Sequence, residues 1–134
     1  MKIDGSIKKI GGHIFRVFEN IFINMAIIKN RTNDIRCKVP PTTKFSHGIS
    51  IVIGKDVKLG KNILINQGVT IGQRHGKQPT IEDNVKIKAN ATIIGDIKIG
   101  HDSIIGAGAV VIDNVPPYSV VVGVPGKVVK KLEN

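Results

Sequence analysis

From Ile53 to Val115 an aliphatic residue returns at every sixth position, with one interruption. The first run is Ile53, Leu59, Ile65 and Ile71; the second is Ile81, Ile87, Ile93, Ile99, Ile105 and Val111, displaced by four extra residues. Val57, Ile63, Val69, Val85, Ala91, Ile97, Ser103, Ala109 and Val115 fill the fifth slot, and Ser103 alone among them is polar. An α-helix turns once in about 3.6 residues, so this period would carry the aliphatics around its surface. A short strand followed by a corner fits instead, because residues two apart share a strand face. Each hexad then points two side chains inward, and corners such as Gly54-Lys55-Asp56 and Gly60-Lys61-Asn62 use residue types that tolerate turn geometry. Strands this short bury no core alone. They must stack as parallel rungs about 4.8 Å apart, which makes the chain an all-β solenoid.

The flanks read differently. Ile7, Ile10, Ile14, Phe18, Ile21, Phe22, Met25 and Ile28 recur at spacings of three and four, predicting an amphipathic helix over residues 6–29 with Ser6 as its N-cap. Such a helix covers the open end of the solenoid or packs on a neighbouring subunit. The competing reading is peripheral contact with a membrane surface, since Lys2, Lys8, Lys9 and Arg16 accompany the apolar face. Those charges and Glu19 leave too short an apolar run for a span of about 20 residues.

The register of the first coil has two solutions. Counting back by sixes from Ile53 reaches His47 and Pro41, whereas Val39, Phe45 and Ile51 form a series of their own. We prefer the second frame, which requires a two-residue slip near Val52 and puts His47 at a corner; in the first, His47 is a wall residue. Residues 73–80, polar and basic with a glycine, are expected to loop out of the wall. Beyond Val115, Pro116 and Pro117 break the period because proline cannot donate to a ladder. One more short strand and a turn follow, then a basic tail over 128–132 that closes the far end.

Composition narrows the field. With 134 residues the chain suits one β-helix domain, 35–134, preceded by a helical segment, 1–34. Lys and Arg outnumber Asp and Glu by 20 to 10, a balance that suits nucleic acid, an anionic membrane or a phosphate-bearing ligand. Lys55, Lys58, Lys61, Lys86, Lys88 and Lys98 take outward slots, where they keep a β-rich surface soluble. Four Phe and one Tyr, none interleaved with these lysines, argue against base stacking and hence nucleic acid. The single cysteine excludes an intrachain disulfide framework, and the start of the chain lacks a cleavable-signal pattern, so the expected setting is the cytoplasm. The sequons at Asn30 and Asn90 are incidental there. The four histidines lack a metal-ligand spacing, so no metal is expected.

The hexads resemble those of the hexapeptide-repeat acyltransferases. The nearest likeness is to serine acetyltransferases and the short O-acetyltransferases of polysaccharide pathways. Ser46-His47-Gly48, Asn66-Gln67-Gly68-Val69-Thr70-Ile71-Gly72, the basic loop and Gly123-Val124-Pro125-Gly126-Lys127 carry it. The resemblance implies a left-handed parallel β-helix with three hexads per coil and a homotrimer with sites between subunits. It also implies transfer of an acetyl group from acetyl-CoA to a hydroxyl. A thioester is already activated, so such transfer needs chiefly a base and alignment of the reactants. An imidazole suits the proton transfer.

By the same resemblance His47 is the base, with Ser46 standing where those enzymes have an aspartate that orients the ring. His75 lies in the loop where they carry a second histidine directly before a proline; here Gly76, Lys77 and Gln78 precede Pro79. Arg74 and Lys77 are candidates for CoA phosphates or an anionic acceptor. Gly106, Ala107, Lys127 and Lys130 are candidates for coenzyme contact, the glycine through close backbone approach. Ile112-Asp113 replaces a threonine and lysine of several relatives. His13 and His101 read as structural. Cys37 is a weak candidate nucleophile, because the family transfers the acetyl group directly. Only about 34 residues stand in place of the large helical domain of serine acetyltransferases, which favours a sugar or polysaccharide-precursor hydroxyl as acceptor. Serine is the alternative, and a non-catalytic β-helix scaffold the second alternative.

Overall fold

The computed structural model describes the backbone of residues 5–134 and the side chains from residue 16 onward. In chain order the elements are α1 (Gly5–Ile28), β1 (Asp34–Ile35), β2 (Lys44–Ser46), β3 (Val52–Ile53), β4 (Lys58–Leu59), β5 (Leu64–Asn66), β6 (Thr70–Gly72) and β7 (Thr80–Ile81). There follow β8 (Lys86–Ile87), β9 (Thr92–Ile94), β10 (Lys98–Ile99), β11 (Ile104–Ile105), β12 (Val110–Val111), β13 (Ser119–Val122) and β14 (Lys127–Lys131).

The strands stack into three faces of a prism of about five turns. Face one is β1-β3-β6-β9-β12, face two is β4-β7-β10, and face three is β2-β5-β8-β11-β13 with β14 added antiparallel. Every other pairing is parallel. The hexad's first slot makes one aliphatic column per face: Ile35, Ile53, Ile71, Ile93 and Val111 on face one, Leu59, Ile81 and Ile99 on face two. Phe45, Ile65, Ile87, Ile105 and Val121 form the third. Fifth-slot residues are equally buried. Ser103 is accommodated because its hydroxyl donates to Pro116 O at 3.0 Å and accepts from Ser119 N–H at 3.1 Å, which removes the penalty of an unpaired buried polar group.

Two departures from strict period shape the ends. Phe45 pairs with Ile65, and Ile51 and Ile53 are both fully buried, so the first coil follows the preferred frame with His47 outside the wall. The slip lies at residues 47–50 rather than near Val52, since Val52 is already in register with Thr70. In the last coil Val115 bridges to Ile99, a first-slot position, so the period breaks at the corner before Val115.

Among the described residues helix α1 runs over Gly5–Ile28, which puts Ser6 inside it rather than at a cap. It packs on the first coil through Ile27 and Ile28 and through buried Asn24, whose Nδ2 donates to Thr43 O at 3.0 Å. Phe18, Phe22 and Met25, from the apolar stripe, face outward, so the helix covers the solenoid with one side only. Lys2, Lys8 and Lys9 lie outside the described side chains, and among the described residues no helix is long and apolar enough to cross a membrane. Ile93, fully buried at the middle of its column, reports on the stack. Ile93→Ala is expected to lower the unfolding free energy by about 2–5 kcal/mol in urea melts; a change within about 0.5 kcal/mol would refute a close-packed column there.

Candidate active site

Three faces meet at three edges, and the candidate residues divide between two of them. The edge between faces three and one is built from stacked corners. Gly68 N–H donates to Ile49 O at 3.0 Å, Asn90 N–H to Gln67 O at 2.9 Å and Gly108 N–H to Ala89 O at 2.9 Å. His47 is exposed on the lowest corner of this ladder, and Gly106 and Ala107 lie three corners above it. At about 4.8 Å per rung, they stand about 14 Å up the same edge.

The corner carrying His47 is the irregular one. His47 and Ser50 have φ of 54° and 56°, left-handed backbone that disfavours residues with a Cβ by about 1–3 kcal/mol each. The turn is closed by Ile49 N–H donating to His47 O at 2.7 Å. Just above it, the carboxamide oxygens of Asn66 and Gln67 are buried with no hydrogen-bond partner among the described residues. Ser46 is half-buried on β2, level with Asn66. Higher up, Gly108 has φ of 69° and open space where a Cβ would project. Lys127 pairs with Val122, whose side chain covers Gly106, and its Nζ stands 3.9 Å from Asp113 Oδ2. Lys130 pairs with Val120, above Ile104, farther along face three.

Arg74 and His75 belong to the next edge, between faces one and two. The loop there is a hairpin in which Arg74 and Lys77 exchange backbone bonds of 3.0 and 3.2 Å around His75 and Gly76. Both central residues have positive φ, 53° and 78°, the geometry of a type I′ turn that glycine relieves at one position. The hairpin lies against the coil above. Lys77 Nζ reaches Asp96 Oδ2 at 3.0 Å, and Arg74 Cβ would be 3.4 Å from a Cβ on Gly95. Pro79 re-enters the wall and is buried. Gln78, directly before it, packs on Gly54 with its carboxamide oxygen buried and unpartnered among the described residues. The width of face one, about six residues and so at most about 20 Å, separates this loop from the edge of His47. A groove of about 320 Å³ crosses that face, lined among others by Arg36, Gly54, Gln73 and Gln78.

The third edge carries His101, whose Nδ1 is 2.8 Å from Asp102 Oδ2 and whose ring stacks edge-on to Tyr118 at 5.1 Å. His13 lies outside the described side chains. Cys37 packs half-buried against the core, and burial pushes its thiol up to about 11, which leaves it a poor nucleophile. The sequence reading missed the orphaned amide of Gln78 and those of Asn66 and Gln67. Burial of one atom in an otherwise half-exposed amide leaves no trace in spacing or composition.

The Bacterial transferase hexapeptide (six repeats) family profile matches residues 78–113. The chain is 47% identical over 89 residues to the serine acetyltransferase of Staphylococcus aureus, covering 63% of this chain and 42% of that protein. For the Bacillus subtilis enzyme the identity is 44% over 87 residues, covering 62% and 40%. The fold of this chain is a left-handed hexapeptide-repeat β-helix. The crystal structure of Neisseria gonorrhoeae serine acetyltransferase superposes on it with a TM-score of 0.62 at 40% identity, covering 70% of this chain and 40% of that one. A serine acetyltransferase solved as a complex with CoA gives a TM-score of 0.58 at 36% identity, covering 66% and 40%. The chain spans about two fifths of the length of the curated relatives it matches.

These relatives overturn the expected sugar acceptor. That expectation rested on the length of chain ahead of the coils, whereas an acceptor is recognised by residues of the site, and the coils are similar to those of serine acetyltransferases. For Cys37, alkylation of the folded hexapeptide β-helix at pH 8 is expected to run at least about 100-fold slower than for a free cysteine, rising about tenfold per pH unit toward 11. Mass spectrometry reads the rate, and labelling as fast as free cysteine would contradict the buried thiol.

Proposed function

We propose that this chain is the β-helix of a serine O-acetyltransferase, using acetyl-CoA as acetyl donor and a small-molecule hydroxyl as acceptor. The observation that carries the reading is the alignment of His47 with the exposed corner of Ala107-Gly108 on one edge, in a chain so similar to serine acetyltransferases. His47, exposed at its corner, takes the proton of the serine hydroxyl as general base. Acetyl-CoA supplies the activated thioester when bound. Ala107 and Gly108, both exposed, let its chain approach the backbone closely, while Gly106 lies under Val122, and Lys127, with Lys130 beyond it, faces its phosphates. The fit is supported by the open space at Gly108 and by the carboxamide oxygens of Asn66 and Gln67, unpartnered among the described residues at the corner above His47.

Arg74 and His75 cannot join His47 within one protomer across face one. We infer that a neighbouring subunit's loop completes the site in a homotrimer, where its cations meet the anionic ends of donor or acceptor. Thiol release from acetyl-CoA should depend on L-serine, and His47→Ala should lower turnover about 10²- to 10⁴-fold with the circular dichroism unchanged. CoA should still raise the melting temperature of that variant. Turnover near that of the wild type, or indifference to serine, would reject the reading. In mixing experiments, His47→Ala and Arg74→Ala/His75→Ala chains, each inactive alone, should regain activity after refolding together. No recovery would contradict a site shared between subunits.

A further inference from the structure

Each interior corner on the edge of His47 rests on a corner one turn below, which receives its backbone hydrogen bonds. The corner of His47 has no such coil beneath it, because the chain arrives there from α1. One side chain takes over that function. Asn33 Nδ2 donates to Gly48 O at 2.8 Å and to Ile27 O, on the last turn of α1, at 2.7 Å. Its Oδ1 accepts from Ile51 N–H at 2.9 Å. The carboxamide therefore spans the corner from both sides of Ser50 and ties it to the helix end. Ile27 closes the same contact from the helix: a Cβ on Gly48 would fall 2.8 Å from Ile27 Cγ2.

We propose that Asn33 is a positioning residue for catalysis, acting through the corner of residues 47–50 to aim the His47 imidazole up the edge. This inference rests on the reading of His47 as base. The physical need is specific. His47 and Ser50 hold left-handed backbone, and such a conformation persists only where surrounding contacts over-determine it. Ser46 offers no carboxylate to orient the ring, so the backbone of the corner, which sets where the ring can reach, carries more of its placement. A base displaced by about 1 Å loses about 10²-fold in rate, so the three bonds matter to turnover more than to stability.

The companion variant is Asn24→Ala. Asn24 makes a comparable buried bond from α1 to Thr43 O, 3.0 Å long, without touching the corner. Asn33→Ala should lower kcat for acetyl transfer tenfold or more, leave the melting-temperature rise produced by CoA unchanged, and alter the His47 imidazole resonance. Asn24→Ala should lose thermal stability and keep kcat within twofold. Equal losses of kcat in the two variants, or an Asn33→Ala kcat within twofold of wild type, would overturn the proposal. Should Asn33→Ala not fold, Gly48→Ala displaces the same corner, and Ile27→Ala in the same chain should restore its kcat; failure of that rescue counts against the proposal. If the wild-type chain transfers no acetyl group to serine, the function reading falls. The positioning role is then decided by the imidazole resonance, which must move in Asn33→Ala and stay in Asn24→Ala.

Discussion

Parallel register between successive turns is the constraint from which the rest of this molecule follows. A turn of three hexads brings each aliphatic above its counterpart, so that Ile53, Ile71 and Ile93 stack on one face while Ile65, Ile87 and Ile105 stack on another. Rungs of two or three residues are far too short to persist alone; each is held by the rungs above and below it. Because a one-residue slip would turn every inward side chain outward, corners must absorb any change of length. The irregular residues of this chain therefore collect at edges.

That confinement turns a stability rule into a functional layout. The two extra residues in the first coil emerge as the corner of His47, and the four in the third emerge as the hairpin of Arg74 and His75. Both protrusions need left-handed backbone at non-glycine positions, which a rigid stack can impose. The prism also separates them, since they leave opposite sides of face one. A site that uses both, as proposed above, draws on two protomers.

The regular part of this layout was open to sequence reasoning. Ten first-slot aliphatics fixed the rungs, the Phe45 series set His47 outside the wall, and the polar run at 73–80 marked the loop, because each is expressed in local spacing. What escaped was long-range and carried by single polar groups. Asn33 falls between the helical and the six-residue patterns, yet its amide reaches Gly48 and Ile51, 15 and 18 positions away. The helix was legible as amphipathic, but periodicity does not reveal which side meets the solenoid, and Asn24 goes inward while Phe22 stays outside. The acceptor was misjudged for a different reason: chain length was weighed above the identity of the coils.

The central claim is that one edge of the prism joins the base to the coenzyme. Backbone amide NMR of the isotopically labelled chain, titrated with CoA, tests it most directly. The account predicts shifts that climb a single line from His47 through Gly68 and Asn90 to Ala107 and Gly108, with residues of the third edge such as Asp102 undisturbed. Shifts confined to that third edge, or none along the line of His47, would contradict it.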